Sequence, residues 1–449
     1  MKLQIEKFHT KLDGFDIYSL FKEDLNTILL DSARDEETLG RYSFIGINCF
    51  LTFKSKKGMC YRGESEYVGD TFEELNKIIS EYSVENNTNL PFISGGIGYF
   101  SYDLAREIED IPNIANEDID IPHCYYNFFD NIVILDNFEK IAYISALGIL
   151  KSQKDSIKDI TSRIQKGNKI VYEKVGNIVN KFTSGFEKSN YIHTVSKVRA
   201  YIKSGDIYIT NLTQRFSCNT HKSAYEIYKD LRHINPAPFA AFMNFEDFSI
   251  ICSSPERFLQ IKNRMVETRP IKGTMPRGID EAEDLKNKNI LINSEKDKAE
   301  LLMVVDLERN DLSKVCRPHS VKVTELFKLE EYSTVFHLVS TIVGELKQGV
   351  STLECIKACF PGGSITGTPK IRSMEIIEEL EPVRRNIYTG ALGYLGFDGN
   401  SDLNIIIRTI LLKDNKAYFG VGGGITWESK EDFEYEETLD KAKALMRVL

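Results

Sequence analysis

The chain has 449 residues, of which 42% are hydrophobic and 27% are charged, and its formal net charge is -9. This length suffices for one large hydrophobic core or two ordinary ones, and the composition is typical of a globular protein. The negative charge disfavours nucleic acid as a partner, because phosphate binding needs a basic surface. The sequence has no run of about 18 apolar residues, so it predicts no membrane span.

The eight cysteines form no CxxC pair, which indicates reduced and mostly buried thiols. The first seven residues carry scattered charges and lack the apolar segment of a secretory signal. We therefore expect a cytoplasmic protein.

Residues 1–150 alternate turns with short runs rich in Ile, Val, Phe and Tyr, and this pattern predicts β-strands. Residues 151–188 are lysine-rich and predict a helical connection between the two halves of the chain. The clearest strands of the first half are predicted at 43–47, 95–100 and 131–135.

The second half, residues 189–449, mixes helices with strands. A helix is predicted from Ser189 to Ser204, because Gly205 stands where a helix commonly ends. Further helices are predicted at 294–310, after Pro369 and at 429–449, and strands at 206–216, 250–252 and 405–407. The fold class is therefore α+β with much antiparallel sheet.

One lysine stands in the apolar turn PIKGT (270–274), sixteen residues after Glu256. Burial disfavours the charged form of an amine, so a crowded lysine loses its proton more easily than a solvated one and can act as a nucleophile. Two interpretations remain open from the residues alone: a catalytic Lys272 beside Glu256, or a surface lysine in a turn.

Acidic residues mark two of the predicted helices. Glu300 precedes an almost wholly apolar turn, so its carboxylate should be buried and needs a partner. The C-terminal helix is predicted to begin at Ser429 with Asp432 in a capping arrangement, and Glu434 and Glu437 then share one face. These acids either complement the helix dipole or hold one Mg²⁺ with Glu300, waters and a substrate carboxylate.

Two features indicate anion recognition. Gly422, Gly423 and Gly424 follow a predicted strand, and glycines let backbone N–H groups approach a ligand closely, although a glycine-rich turn without a ligand is the alternative. Arg408 is predicted inside an apolar strand, where it needs a carboxylate from the protein or from a substrate. The loop at 360–370 lacks the spacing of a phosphate loop, so no nucleotide site is predicted.

His337 is surrounded by apolar residues, which favours either a hydrogen-bonded core histidine or a catalyst. The sequence shows no zinc-ligand spacing and no Ser-His-Asp order, so it gives no support to zinc chemistry or to a serine nucleophile.

Taken together, the ordered motifs of residues 185–449 resemble those of the chorismate-utilising enzymes, with weaker agreement toward the N-terminus at LLDSA (29–33), GRYSFIG (40–46) and GGIGYFSYDLAR (95–106). The resemblance implies an anthranilate-synthase-type sandwich of two large antiparallel β-sheets flanked by helices, with intertwined N- and C-terminal parts. The matching stretches are GDIYITNLTQRF (205–216), SSPERF (253–258), ETRPIKGTMPR (267–277), DKAELLMVVDLERND (297–311), FHLVSTIVGEL (336–346), FPGGSITGTPK (360–370), IRT (407–409), GVGGGI (420–425) and EYEETLDKAKAL (434–445).

Within that family, PIKGT is similar to the aminodeoxychorismate synthases, whereas anthranilate synthases have alanine at the lysine position. The resemblance implies that Lys272 adds to C2 of chorismate while Glu256 protonates the departing C4 hydroxyl. Ammonia then enters at C4 and expels the lysine. Covalent catalysis of this kind divides one difficult substitution into two easier steps.

The resemblance also assigns the remaining site residues. Mg²⁺ on Glu300 and Glu437, with Glu434 nearby, would bind the ring carboxylate, and His337 would lie near the ring. The residues implied in holding or surrounding the rest of the substrate are Thr274, Thr366, Tyr388, Arg408, Gly422, Gly423 and Gly424.

One residue departs from the family pattern. Ile209 stands where many relatives carry glutamine and where salicylate or isochorismate synthases carry lysine. Isoleucine cannot activate water, which argues against an isochorismate synthase, and it removes a polar group from the pocket.

Six residues match the region in which relatives bind tryptophan away from the active site. The alternative is that they only pack the two halves of the chain together. They are Ser32, Arg41, Tyr42, Pro238, Phe239 and Ala240.

The chain has no Gly-x-Cys-x-Gly elbow, so a separate glutamine amidotransferase is expected to supply ammonia. One competing hypothesis is an anthranilate synthase component, and Lys272 is the residue that distinguishes this chain from that activity. The other is a silent subunit that binds tryptophan or the glutaminase. Retention of Glu256, Lys272, Glu300 and Glu437 argues against the silent subunit, because unpaired buried charges are costly.

Overall fold

The computed structural model describes residues 2–33, 39–172, 180–332 and 335–449. Within these ranges the chain forms ten α-helices, 22 β-strands and two short 3-10 helices, Tyr102–Glu107 and Gly363–Ile365. The helices are α1 (Gly14–Phe21), α2 (Thr71–Glu81), α3 (Gln153–Gln165), α4 (Lys188–Ser204), α5 (Ala224–Ile234), α6 (Glu281–Ile292), α7 (Glu295–Val315), α8 (Thr352–Cys359), α9 (Lys370–Leu380) and α10 (Glu431–Val448).

The strands of the first half are β1 (Gln4–His9), β2 (Ile28–Asp31), β3 (Tyr42–Lys56), β4 (Met59–Arg62), β5 (Ser65–Val68), β6 (Gly95–Phe100), β7 (Cys124–Asp136), β8 (Ile141–Ala146) and β9 (Thr183–Ser184). Those of the second half are β10 (Ile209–Asn219), β11 (Phe239–Asn244), β12 (Phe248–Ser254), β13 (Arg257–Lys262), β14 (Met265–Arg269), β15 (Ile271–Pro276), β16 (Lys322–Glu331), β17 (Val335–Glu345), β18 (Gly367–Thr368), β19 (Ala391–Gly396), β20 (Ser401–Ile405), β21 (Thr409–Lys413) and β22 (Lys416–Ile425).

Hydrogen bonds join these strands into one network that two long strands, β3 and β7, divide into two sheets. The register between them shifts at a bulge between Cys49 and Leu51, and a bulge of this kind bends a strand. Before the bulge β3 pairs with β2, and beyond it with β4. The same two strands therefore begin one sheet and continue into the other.

The first sheet runs β1-β8-β7-β3-β2-β11-β12-β21-β22-β10, with β9 and β18 beside β10. The second runs β5-β4-β3-β7-β6-β19-β20-β13-β14-β17, with β15 and β16 beside β17. Every strand pairing among the described residues is antiparallel, and both sheets combine strands from both halves of the chain. The predicted α+β class with antiparallel sheets is confirmed.

Aromatic side chains pack between the two sheets. Phe44 of the first sheet lies 5.5 Å, centroid to centroid, from Tyr394 of the second, and Phe248 lies 6.2 Å from Tyr99. The opposite face of the first sheet is covered by helices α1, α3, α5 and α10, whose buried side chains form a second apolar cluster with it. This layered packing buries the side chains that a two-sheet sandwich needs to bury.

The predicted helix at 189–204 is confirmed, and Gly205 ends it in the left-handed conformation at φ 85°. Only part of the predicted helical connection is helical, because α3 ends at Gln165 and residues 173–179 lie outside the described ranges. The C-terminal helix begins at Glu431 with Lys430 as its cap, so the prediction that Ser429 caps it is wrong. The hydroxyl of Ser429 instead accepts a hydrogen bond from Thr426 N over 3.0 Å.

Among the described residues, the helices are too short or too polar to cross a membrane.

Candidate active site

Lys272 directs its amine toward the loop that contains Ser364. It lies on β15, and its Nζ donates a hydrogen bond to the carbonyl oxygen of Ser364 over 2.8 Å. Burial lowers the pKa of Lys272, although the carboxylates of Glu300 and Glu256 favour its charged form. The strand turns next to it at Gly273, whose φ of 75° favours glycine.

Glu256 lies beside this lysine in the short connection between β12 and β13. It is buried, and its Oε1 accepts a hydrogen bond from Ile271 N over 3.3 Å. Burial raises the pKa of Glu256, while a hydrogen bond from Ser364 and the charge of Lys272 lower it. A carboxyl with a raised pKa and an amine with a lowered pKa are therefore held around the same residue, Ser364.

His337 and Thr274 face each other across neighbouring strands. They are register partners on β17 and β15, and the hydroxyl of Thr274 lies 2.9 Å from Nδ1 of His337. His337 is buried with its ring edge against Tyr332, whereas Thr274 is exposed. His337 therefore lies on β17 next to Leu338, the register partner of Lys272.

Two buried carboxylates share one ammonium group. Nζ of Lys296 lies 3.7 Å from Oε1 of Glu300 on α7 and 3.7 Å from Oε1 of Glu434 on α10. Burial raises the pKa of Glu300 to about 7, and burial also raises that of Glu434. Buried acids this close need a cation between them, because like charges in the interior repel strongly.

Glu437 completes the acidic edge of the site from the next turn of α10. Its side chain is half-exposed and pairs with Lys441 at 2.6 Å. Burial of the carboxylate opposes ionisation, but the ammonium groups of Lys441 and Lys296 outweigh it and hold the pKa of Glu437 below its usual value.

The three glycines of β22 pass directly beneath these acids. A Cβ atom built on Gly423 would lie 3.3 Å from Oε1 of Glu437 and 3.5 Å from Oε2 of Glu434, and one on Gly424 would lie 3.7 Å from Oε2 of Glu300. The carbonyl of Gly422 accepts a hydrogen bond from Lys441 Nζ over 2.8 Å. The glycines therefore keep open the space in front of the carboxylates.

No group of three or more His, Cys, Asp or Glu side chains in the described part of the chain is arranged as a ready metal cluster. The donor set nevertheless fits a hard cation. Glu300 Oε1 is buried without a hydrogen-bond partner, Glu434 is buried beside it, and an ammonium group lies 3.7 Å from both. Mg²⁺ typically takes only one or two protein carboxylates and fills its other positions with water and ligand oxygens.

Arg408 lies between β20 and β21 with φ 50°, so the prediction that it stands inside a strand is wrong. The chain leaves β20 at Ile405 and enters β21 only at Thr409. Burial lowers the pKa of Arg408, and among the described residues no acidic side chain pairs with it. A half-buried guanidinium without a protein carboxylate is a candidate site for an external anion.

Tyr388 lies in the connection before β19, beside Arg408. Its ring packs on Gly420 so closely that a Cβ atom there would lie 2.3 Å from it. Burial raises the pKa of the Tyr388 phenol, so the hydroxyl keeps its proton and can donate it in a hydrogen bond.

Two further residues border the site. Ile209 is buried at the start of β10, where its Cδ1 would lie 3.2 Å from a Cβ atom on Gly424. Thr366 is buried within its loop, and its hydroxyl donates to the carbonyl of Gly362 over 3.0 Å. Ile209 therefore presents an apolar surface next to the glycines and the acids.

Three groups of this site were not predicted from the sequence. Ser364 contributes a backbone carbonyl, for which the sequence holds no signal. Lys296 lies four residues before Glu300, a spacing at which helical side chains meet, so it was identifiable. Lys441 lies four residues after Glu437, so this pair was identifiable from its spacing as well.

The six residues of the candidate tryptophan pocket line a separate cavity of about 240 Å³. It lies between β2 and β11 of the first sheet and β13, β19 and β20 of the second, and it shares no lining residue with the site around Lys272. Its walls combine aromatic rings with charged groups. The predicted residues that line it are Ser32, Arg41, Tyr42, Pro238, Phe239 and Ala240.

The family model described as chorismate binding enzyme matches residues 26–447. An aminodeoxychorismate synthase component 1 of Bacillus subtilis is 38% identical over 441 residues, which cover 94% of this chain and 91% of the relative. An anthranilate synthase component 1 of Acetivibrio thermocellus is 37% identical over 454 residues, with coverages of 96% and 92%.

Among solved structures, anthranilate synthase component I from Streptococcus pneumoniae matches with a TM-score of 0.82 and 30% identity, over 92% of this chain and 93% of that one. The predicted anthranilate-synthase-type fold is confirmed. The relatives divide between two activities at nearly equal identity.

Proposed function

Because this chain belongs to the family of chorismate-binding enzymes, we propose that it is an aminodeoxychorismate synthase component 1, which forms 4-amino-4-deoxychorismate from chorismate and ammonia. The proposal rests on the environment of Lys272. Lys272 is half-buried, its pKa is lowered, and it lies beside the buried acid Glu256. A lysine with a lowered pKa and a carboxyl with a raised pKa are the nucleophile and the general acid that a covalent substitution needs.

In the first step the nitrogen of Lys272 forms a bond to C2 of chorismate while the ring double bonds shift. The C4–O bond breaks, and Glu256 gives its proton to the departing hydroxyl, which leaves as water. In the second step ammonia forms a bond to C4, the double bonds shift back, and the C2–N bond to Lys272 breaks. Protons released by the two nitrogens restore the acid and the free amine.

Binding of the substrate would divide between two regions of the site. Arg408 and the phenol of Tyr388, with the backbone of Gly422, Gly423 and Gly424, would hold the enolpyruvyl carboxylate. His337, Thr274 and Thr366 would border the ring. This division is supported by Arg408, which is half-buried and has no acidic partner among the described residues.

Glu300, Glu434 and Glu437 would hold Mg²⁺, which when bound supplies positive charge to orient the ring carboxylate of chorismate. The support for this proposal is the Oε1 of Glu300, which is buried without a hydrogen-bond partner beside a second buried acid.

The rival activity within the family is that of anthranilate synthase, in which alanine is expected at position 272. Ile209 removes the polar side chain that activates water in isochorismate synthases, so attack at C2 is left to Lys272. The presence of the lysine and the absence of a water-activating group both favour amination at C4.

We also propose a glutamine amidotransferase partner that supplies ammonia, since the relatives are named as first components of their synthases. A cytoplasmic location is supported by eight cysteines that form no disulfide. The cavity between the sheets supports a tryptophan site, because all six predicted residues line it.

Product analysis tests the proposal. Purified chain is incubated with chorismate, Mg²⁺ and ammonium, and the products are identified by mass spectrometry. We expect 4-amino-4-deoxychorismate without pyruvate. Formation of anthranilate and pyruvate would assign the chain to the other activity, and absence of any product would favour a silent subunit.

A further inference from the structure

Glu308 is a buried carboxyl that the proposed reaction does not use. It lies on α7, eight residues after Glu300, with 8% of its surface exposed. A Cβ atom built on Gly363 would lie 3.1 Å from Cγ of Glu308, and the next residue, Ser364, hydrogen-bonds to Glu256. Two consecutive residues of one loop thus contact two different buried acids.

The hydroxyl of Thr268 lies within hydrogen-bond distance of two acceptors, one of which belongs to Glu308. Oγ1 of Thr268 lies 2.7 Å from the carbonyl oxygen of Phe258 and 2.9 Å from Oε2 of Glu308. A hydroxyl has one proton to donate, and a carbonyl oxygen can only accept. If the proton of Thr268 goes to Phe258, the bond to Glu308 exists only when the carboxyl provides a proton of its own.

We propose that Glu308 is held as a neutral carboxylic acid and acts as a positioning residue for Glu256. Its O–H donates to Thr268, which donates in turn to Phe258, two residues after Glu256 in the chain. This chain of two hydrogen bonds lies at the bulge where the register between β13 and β14 shifts, so it replaces regular pairing at that point.

The surrounding charges agree with a neutral acid. Burial raises the pKa of Glu308 to about 8, and the negative charges of Glu256 and Asp311 act in the same direction. The charge of Lys370 opposes them, and a hydrogen bond donated by Thr268 would do the same, but in the proposed arrangement the proton of Thr268 goes to Phe258. Lys370 forms an ion pair with Asp311, and the carboxylate of Asp311 largely neutralises the positive charge of Lys370.

The consequence rests on the proposed function. Glu256 must become a carboxylate as it protonates the departing hydroxyl. A second ionised carboxyl nearby would resist that change, because like charges in a buried site raise each other's pKa. A neutral Glu308 supports the strand behind Glu256 without adding a charge.

The test compares Glu308→Gln, which keeps a donor without a charge, with Glu308→Leu, which removes the donor. Infrared difference spectra of wild type against Glu308→Gln are recorded across pH. We expect the carbonyl band of a protonated carboxyl at neutral pH, which converts to carboxylate as the pH rises through about 8. Chorismate consumption with ammonium should stay within about threefold in Glu308→Gln and fall at least about tenfold in Glu308→Leu.

A carboxylate band for Glu308 at neutral pH would overturn the proposal, and so would equal losses in the two variants. Should Glu308→Leu fail to fold, Thr268→Val and Thr268→Ser take its place. The carboxyl band should shift in Thr268→Val, which lacks the acceptor, and remain in place in Thr268→Ser; an unshifted band in Thr268→Val would overturn the proposal. The readouts do not depend on which product forms, so failure of the proposed function remains distinguishable.

Discussion

The amine of Lys272 donates a hydrogen bond to the carbonyl oxygen of Ser364, 92 residues further along the chain, over 2.8 Å. A carbonyl can accept from a neutral amine as well as from an ammonium group, so this bond does not require Lys272 to be charged. Ser364 also hydrogen-bonds to Glu256. One loop residue therefore orients both the nucleophile and the acid of the proposed reaction.

Replacing Lys272 with alanine should abolish formation of 4-amino-4-deoxychorismate, with a loss of at least about a thousandfold, because the covalent intermediate cannot form. Chorismate and Mg²⁺ binding should be largely retained, as measured by calorimetry. Lys443→Ala, on an exposed lysine of α10, is the control and should keep wild-type activity. Unchanged product formation in Lys272→Ala would remove the covalent role.

Glu300→Gln should raise the Mg²⁺ concentration needed for half-maximal activity at least about tenfold, because an amide oxygen is a weaker ligand for a hard cation than a carboxylate. Activity is measured in a titration with Mg²⁺ after treatment with a chelator. The matched control is Glu295→Gln on the same helix, whose side chain is 90% exposed. Equal Mg²⁺ requirements in both variants would argue against Glu300 as a ligand.

Gly273→Ala should destabilise the protein by about 2 kcal/mol and reduce activity, since it combines backbone strain with a steric clash. Its φ is 75°, and the added Cβ atom would lie 2.9 Å from Asp297 Cγ and 2.9 Å from Leu291 Cδ1. Gly205→Ala is the control, because its φ is 85° and nothing lies within 4 Å of the added atom. Urea unfolding separates the two effects, and equal losses would show that only the backbone conformation matters.

Glu117→Gln should lower the free energy of unfolding at pH 7 by about 1 kcal/mol after allowance for solvent screening. Burial raises the pKa of Glu117, but Lys57, Lys56 and Arg384 outweigh it and lower the pKa from 4.5 to about 2. The depressed pKa stabilises the fold above pH 4.5, and this contribution is lost as the pH falls from there toward 2.

The difference between wild type and Glu117→Gln should therefore shrink as unfolding is measured at pH 7, 4 and 3. Glu64→Gln, on an exposed residue of a turn, is the control and should change stability little at any of these values. A difference that stays constant with pH would contradict an electrostatic origin.

Tryptophan should raise the melting temperature of the wild-type protein, because the cavity between the sheets offers aromatic walls and charged groups. Ala240→Leu places a larger side chain in that cavity and should weaken binding at least about tenfold by calorimetry. Ala282→Leu on the exposed surface of α6 is the control. No response of the wild type would mean that the six residues only pack the two halves together.

Local patterns in the sequence predicted several elements well. The helix of residues 189–204 ends at Gly205 as predicted, because a glycine at φ 85° has a local steric cause. The strands at 43–47, 95–100 and 131–135 lie within β3, β6 and β7. The prediction that Ser429 caps the C-terminal helix is wrong, since capping depends on where the backbone begins to turn as well as on the side chain.

Arg408 shows what a local pattern misses. Its apolar neighbours predict a strand, yet the chain breaks between β20 and β21 and Arg408 takes φ 50°. β21 pairs with β12, whereas β20 pairs with β13, so the break lies where the chain passes from one sheet to the other. That passage is a property of the whole topology.

The sequence by itself determined the secondary-structure types, the family and most of the residues that surround the candidate site, because periodicity, glycine positions and motif order are local properties. Only the tertiary structure decided that Ser364 joins Lys272 to Glu256, that Lys296 lies between two acids, and that Glu308 and the carbonyl of Phe258 both lie within hydrogen-bond distance of the Thr268 hydroxyl. These relations arise between residues far apart in the chain. Their chemistry depends on burial, which sets the pKa of each group and which no single segment encodes.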